Sequence, residues 1–180
     1  MMATRRKQSL FIIAYPQKET ADEVYRTLRG LEKQDKIDIK TAVTIYRTED
    51  GKLQLKHRRR LTVWKGLFGV GAIGLILAGT GAGFLAGAVV GALIGSSRSK
   101  QRRDVKSFLD DKLGPEESAL AILVTNADWE TVRNEIDHFG GDELAFELTP
   151  EAEKRLAEIA ADEEVVAAVH EEVEIEEITL

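Results

Sequence analysis

The sequence predicts an α+β fold: a ferredoxin-like split β-α-β domain interrupted by a glycine-rich helical hairpin, with an acidic C-terminal tail. Three observations carry that expectation. Short apolar runs of strand length, separated by helical periodicity, occur on both sides of residues 61–97. Between them, Gly66 to Ser97 is a stretch of 32 residues without one charge, holding 10 of the chain's 15 glycines. From residue 104 onward the chain holds 5 Lys/Arg against 23 Asp/Glu.

The first half of the α/β domain covers residues 9–57. Phe11-Ile12-Ile13-Ala14-Tyr15, closed by Pro16, reads as a buried strand. Thr20 to Glu23 has the T-x-x-E form of a capping box, opening a helix with Ala21, Val24, Leu28 and Leu31 on one face. Gly30 falls in its last turn and weakens it. Ile37, Ile39, Thr41, Val43 and Ile45 alternate along a second strand and are expected on one face. Asp50-Gly51 supplies a hairpin turn, and Leu53 and Leu55 continue a third strand.

Beyond the insert, residues 98–114 form an amphipathic helix with Val105, Phe108, Leu109 and Leu113 on one stripe, stopped by Gly114-Pro115. The second half of the domain covers residues 118–149. Ala119 to Val124 shows no polar alternation, as expected of a central strand buried on both faces. Asn126 or Asp128 can cap a helix carrying Trp129, Val132, Ile136 and Phe139, ended by Gly140-Gly141. Leu144, Phe146 and Leu148 then alternate in an outer strand. Residues 150–180 form an acidic C-terminal helix or tail, beginning at Thr149-Pro150. From Glu163 it reads either as a helix followed by an edge strand or as a partly disordered interaction tail.

The insert, residues 61–97, reads as a hairpin. About 20 apolar residues span a bilayer, and Gly79-Thr80-Gly81-Ala82-Gly83 offers a break near the middle. The two legs reach about 27 Å and about 20 Å at 1.5 Å per residue, against a hydrocarbon core of about 30 Å. Basic residues lie on both sides: Arg58, Arg59 and Arg60 before it, Arg98, Lys100, Arg102 and Arg103 after it. Such flanks are retained in the cytoplasm. If both halves build one sheet, residues 57 and 104 must also share a compartment. Trp64 and Lys65 fit an interfacial anchor, the ring at the headgroups and the ammonium reaching outward. Gly83, Gly87, Gly91 and Gly95 recur every fourth residue, a spacing that lets helix backbones approach closely. They are the expected helix-packing and oligomerisation surface. Thirteen strongly apolar residues between Gly66 and Gly95 give at best roughly −6 kcal/mol of insertion energy, so packing between hairpins would have to assist.

The net charge of −6 conceals an uneven distribution. Residues 1–60 hold 15 Lys/Arg against 8 Asp/Glu, and residues 61–103 hold 5 against none. The basic part suits an anionic membrane surface or the acidic tail. No nucleic-acid motif with interleaved aromatics accompanies it, so nucleic acid is not an expected partner. The chain has no cysteine, which excludes disulfides and thiol catalysis. Gly69-Val70-Gly71-Ala72-Ile73-Gly74 matches a dinucleotide fingerprint, yet the next carboxylate is Asp104, too distant to hold a ribose. His57, His138 and His170 lack metal-binding spacing. The expectation is therefore no enzyme, no cofactor, no metal and no catalytic residue.

Phe11 to Tyr15, Ala21-Asp22-Glu23-Val24, Glu49-Asp50-Gly51-Lys52, the glycine-rich insert and Ser118 to Val124 together give a recognisable order. Over roughly residues 9–150 the chain resembles a bacterial and archaeal domain-of-unknown-function family of predicted membrane proteins. That resemblance implies no activity and no functional residues. The function expected is a protein of the inner cell membrane, both chain ends cytoplasmic, whose glycine-zipper hairpin anchors and oligomerises a cytoplasmic interaction or regulatory domain. Its partners would be membrane lipid, further copies of itself and a protein bound by the acidic tail. The alternatives are a transport or pore component built from clustered hairpins, or a soluble homo-oligomer with a buried glycine-helix core.

Overall fold

The computed structural model describes residues 8–58, 105–148 and 173–177, with isolated positions 150, 151, 154, 158 and 167. The elements are β1 (Gln8–Tyr15), α1 (Thr20–Glu32), β2 (Ile37–Arg47) and β3 (Leu53–His57), then α2 (Val105–Lys112), β4 (Ser118–Ala127), α3 (Trp129–Ile136), a 3₁₀ turn (Asp137–Phe139), β5 (Asp142–Leu148) and β6 (Val173–Glu177). The hairpin expected over 61–97 and residues 98–104 of the expected amphipathic helix lie outside the described residues.

The fold is α+β, built on one sheet in the order β5-β1-β4-β2-β3-β6. The first five strands pair antiparallel, and β6 joins β3 in parallel. β1 and β2 therefore run the same way with β4 between them, and β4 and β5 run the same way with β1 between them. The two β-α-β units interlock, so the halves on either side of residues 59–104 cannot form separate sheets.

Both faces are buried. On one, Ile13, Tyr15, Ala42, Leu120, Ile122 and Val124 pack beneath Ala21, Val24, Leu28 and Leu31 of α1 and Val132 of α3. On the other, Leu10, Ile12, Val43, Ile45, Leu55, Ala121 and Leu123 are each no more than 3% exposed. α2 contacts β1 and β5, and its buried Val105, Phe108, Leu109 and Leu113 stand outside the first cluster, so it belongs to this second face. Ala119 to Val124, without polar alternation, is the doubly covered centre the sequence implied.

Two local expectations are corrected. Irregularities in the β2–β4 ladder fall between Asp38 and Ile39 and between Ile39 and Thr41, as an extra residue in one strand produces. Ile37 and Ile39 consequently share the α1 face with Ala42, while Val43 and Ile45 turn to the opposite face. Ile37, Ile39, Val43 and Ile45 of β2 do not lie on one side, because a bulge reverses the alternation. The capping box does not form either. Glu19 is the N-cap residue of α1 and its side chain makes no capping bond. Ser118, at the start of β4, accepts from the Ala21 N–H at 3.1 Å and donates to the Gln17 carbonyl at 2.6 Å. A buried hydroxyl from another strand thus satisfies one of the helix's free N–H groups.

Other signals correspond to what is observed. Asp128 caps α3, accepting from the Thr131 N–H at 3.3 Å and from the Thr131 hydroxyl at 2.8 Å. Those bonds hold its carboxyl below the usual range, with Lys36 nearby adding to the effect. Asp50-Gly51 lies in the β2–β3 connection, where Gly51 has φ +84° and Thr48 N–H donates to the Lys52 carbonyl at 2.9 Å. β6 is an edge strand formed by the acidic tail.

Candidate functional site

The residues that warrant description as a site hold the two roots of the segment 59–104. Arg58, directly after β3, is where the chain leaves the described domain, and α2 is where it returns. Both roots are fastened to the second half of β2, from opposite faces.

At the departing root, Arg58 N–H donates to the Ala42 carbonyl at 3.2 Å, extending the β2–β3 ladder by one residue. The Tyr25 hydroxyl of α1 donates to the Arg58 carbonyl at 2.7 Å. Arg58 Nε donates to Thr44 Oγ1 at 3.1 Å, and Nη2 reaches Tyr46 Oη at 3.5 Å. The same Nη2 donates to the Asp22 carboxylate in the first turn of α1. Arg58 and Asp22 side chains are only 21% and 24% exposed, so this pair is better shielded than a surface bridge. Thr44 and Tyr46 are buried, and burial is the main cause raising the Tyr46 phenol above its ordinary pKa. Lys56 Nζ sits 5.3 Å from the centre of the Tyr46 ring.

At the returning root, Arg47 points the other way, as its neighbour position along β2 requires. Its Nε donates to the Leu113 carbonyl at 2.7 Å and its Nη2 to the Leu109 carbonyl at 3.3 Å. Nη2 also lies 3.1 Å from Asp110 Oδ1, and Nη1 donates to the Gly51 carbonyl at 2.9 Å. A guanidinium on the last carbonyls of α2 satisfies groups that a helix end leaves free, and meets the negative end of its dipole. One arginine thereby joins the β2–β3 turn to the helix that follows the insert. Chemically, both arginines are occupied by carboxylates, hydroxyls and carbonyls. They fix chain direction and present no nucleophile or poised base.

Of the expected membrane anchors and helix-packing residues, Arg58 alone is described, and it serves the clamp with Asp22. Gly83, Gly87, Gly91 and Gly95, and Arg59, Arg60, Trp64, Lys65, Arg98, Lys100, Arg102 and Arg103, lie outside the described residues. Asp22, Thr44, Tyr46 and Arg47 were not legible as site residues, because their partners lie in other elements. Among the described residues no group of three or more metal-binding side chains converges, and no helix is long and apolar enough to cross a membrane.

A second feature lies between α3 and the sheet. Trp129, 37% exposed, packs against Phe11 with ring centres 4.6 Å apart. Behind them is a cavity of about 20 Å³ whose apolar walls include Ile13, Ile122 and Val132. That space is about the size of one water, and Arg133 and Glu143 are the charged residues in its lining.

A family model described as "Protein of unknown function (DUF1269)" matches residues 63–161. The match runs through the glycine-rich segment, α2, β4, α3 and β5, and leaves β1 to β3 outside it. No curated protein and no solved structure matches the chain.

Proposed function

The chain belongs to the DUF1269 family of proteins of unknown function, and we propose that it is a membrane-associated, non-enzymatic assembly protein. Its insert, residues 61–97, enters the bilayer as a hairpin. Its ferredoxin-like domain stays on the cytoplasmic side as the interaction or regulatory part. The glycine stripe Gly83, Gly87, Gly91 and Gly95 brings copies together.

One observation carries this reading: Arg58 and α2 are fastened to the same strand of the same sheet. A segment that leaves and returns to one rigid body enters and exits a membrane from one side. The uncharged run of 32 residues supplies the reason for the excursion, and the basic residues on both sides favour the cytoplasmic face. The family match spans residues 63–161, taking in most of the insert and the second half, which supports treating the insert as part of the domain. A transport or pore role fits less well. Thr80 is the one residue between Gly66 and Gly95 that is neither glycine nor apolar, and a lumen needs more polar lining than that. The domain's clamps hold no exposed reactive group, so an enzymatic role gains no support from them.

Carbonate extraction of membranes tests the proposal. The full chain is expected to remain with the lipid pellet. Release into the supernatant overturns the membrane reading and favours a soluble oligomer with a glycine-helix core.

A further inference from the structure

We propose that the outer edge of β3 is an exchange site that takes the acidic strand β6 from a second copy of this chain. The inference rests on the assembly reading above, because clustered copies are what bring a second tail within reach.

β6 lies parallel on β3 through five register pairs, from Leu53 opposite Val173 to His57 opposite Glu177. Every other ladder among the described residues is antiparallel. β5 and β6 occupy opposite edges of a six-stranded sheet, about 24 Å apart at the usual strand spacing. The chain between them, residues 149–172, has to cross that width. Twenty-four residues separate β5 from β6 in sequence, so no short hairpin connection dictates this pairing. The backbone bonds that pair the strands are the same whichever chain donates the strand. Own and foreign strands differ only in effective concentration, which is set by the length of the connection and by how copies are held together. Copies assembled through their inserts would supply each other's tails at comparable concentration.

The chemistry at the edge selects this strand. The register sets Glu176 opposite Lys56 and Glu177 opposite His57, while Val173 and Ile175 stand opposite Leu53 and Leu55. Three arginines, Arg58 to Arg60, follow β3, and Glu171-Glu172 precedes β6. The edge therefore matches an extended segment that alternates apolar residues with carboxylates, running parallel to β3. It repels a second copy of β3 by charge, which disfavours direct edge-to-edge pairing.

The absence of cysteine from the chain makes a direct test available. Directly paired strand residues lie within the Cα separation a disulfide allows, about 4.4–6.8 Å. Full-length Q54C and full-length E174C, partners in the register, are joined at their N-termini by a heterodimeric coiled-coil tag on a flexible linker. Clustering then does not depend on the insert. Mild oxidation is expected to yield a bridge between the two copies, and a Q54C/E143C pair, with Glu143 on the far edge, is expected to yield none. The bridge should also be lost when the tail of the E174C copy carries E176K and E177K. Absence of the mixed bridge overturns the exchange, whether or not a Q54C/E174C double variant closes within one chain. Light scattering on the untagged chain reads self-association through the insert separately, so failure of that reading is distinguishable.

Discussion

The guanidinium of Arg58 donates to the carboxylate of Asp22, tying the residue at which the chain leaves the domain to the first turn of α1. With Thr44, Tyr46 and the Tyr25 hydroxyl it sets the direction of departure, and Arg47 sets the direction of return. On the proposed function the domain is a socket for the insert, and variants that loosen the socket test it.

Arg58→Ala removes the guanidinium and leaves half-buried Asp22 and buried Thr44 each with a partner missing. Loss of a charged hydrogen-bonding partner costs about 1–3 kcal/mol. Urea unfolding of the full chain should show that loss. Arg58→Lys should recover only part of it, because an ammonium lacks the fork that reaches Thr44 and Asp22 together. A fully stable Arg58→Ala protein would mean that the clamp is incidental.

Ser118→Ala and Thr20→Ala separate two accounts of the start of α1. Ser118 caps Ala21 from across the sheet, whereas the side chain at the N-cap position makes no capping bond. Removing the buried hydroxyl should lower stability by about 0.5–2 kcal/mol, as loss of an N-cap does. Thr20→Ala should cost less. The reverse order, measured by thermal melting, would restore the capping box.

Gly141 has φ +111°, and a Cβ there would meet the Ala14 carbonyl oxygen and the Tyr15 ring at 2.9 Å. Gly141→Ala should therefore destabilise by about 2 kcal/mol or more, combining backbone strain with the clash. Gly30 has open space around its missing Cβ and lies within α1, so Gly30→Ala should stabilise by about 0.5–1 kcal/mol. Paired denaturation curves check both signs.

Asp128 gives a pH-dependent contribution. Its folded pKa is lowered, first by the Thr131 hydroxyl and then by the Thr131 N–H. A carboxyl lowered on folding stabilises at pH values above its unfolded pKa, about 3.9, and that stability is lost as pH falls through the folded value. The stability gap between the protein and Asp128→Asn should be constant near neutral pH and close in acid. A gap that widens in acid would contradict the assignment.

Elements whose signal is local were legible in the sequence. Ala119 to Val124 reads as a central strand because six consecutive apolar residues need cover on both faces, and Asp128 with Thr131 reads as a cap because the partners are three apart. What was not legible depends on partners far away in the chain. Period-two counting runs through the irregularity at Ile39 to Thr41 and assigns Val43 and Ile45 to the wrong side. Ser118 meets Ala21 across 97 residues, and Arg47 meets Leu113 across 66. Arg58 draws notice as one of a basic run beside an apolar segment, and its pairing with Asp22 emerges only once β3 lies beside β2. The pairing of β6 with β3 was likewise open, because an acidic alternating segment does not disclose which edge it joins.

The proposed function has the chain leave for the bilayer at Arg58 and return at α2 on one side of the membrane. Single-cysteine variants E49C and S107C, both at exposed positions of this cysteine-free chain, report the two sides of the insert. A membrane-impermeant maleimide is applied to sealed vesicles of each orientation. Both variants are predicted to label in vesicles with the cytoplasmic face outward and to resist labelling in the opposite orientation. Labelling of E49C and S107C from opposite sides would mean that the insert crosses the membrane once.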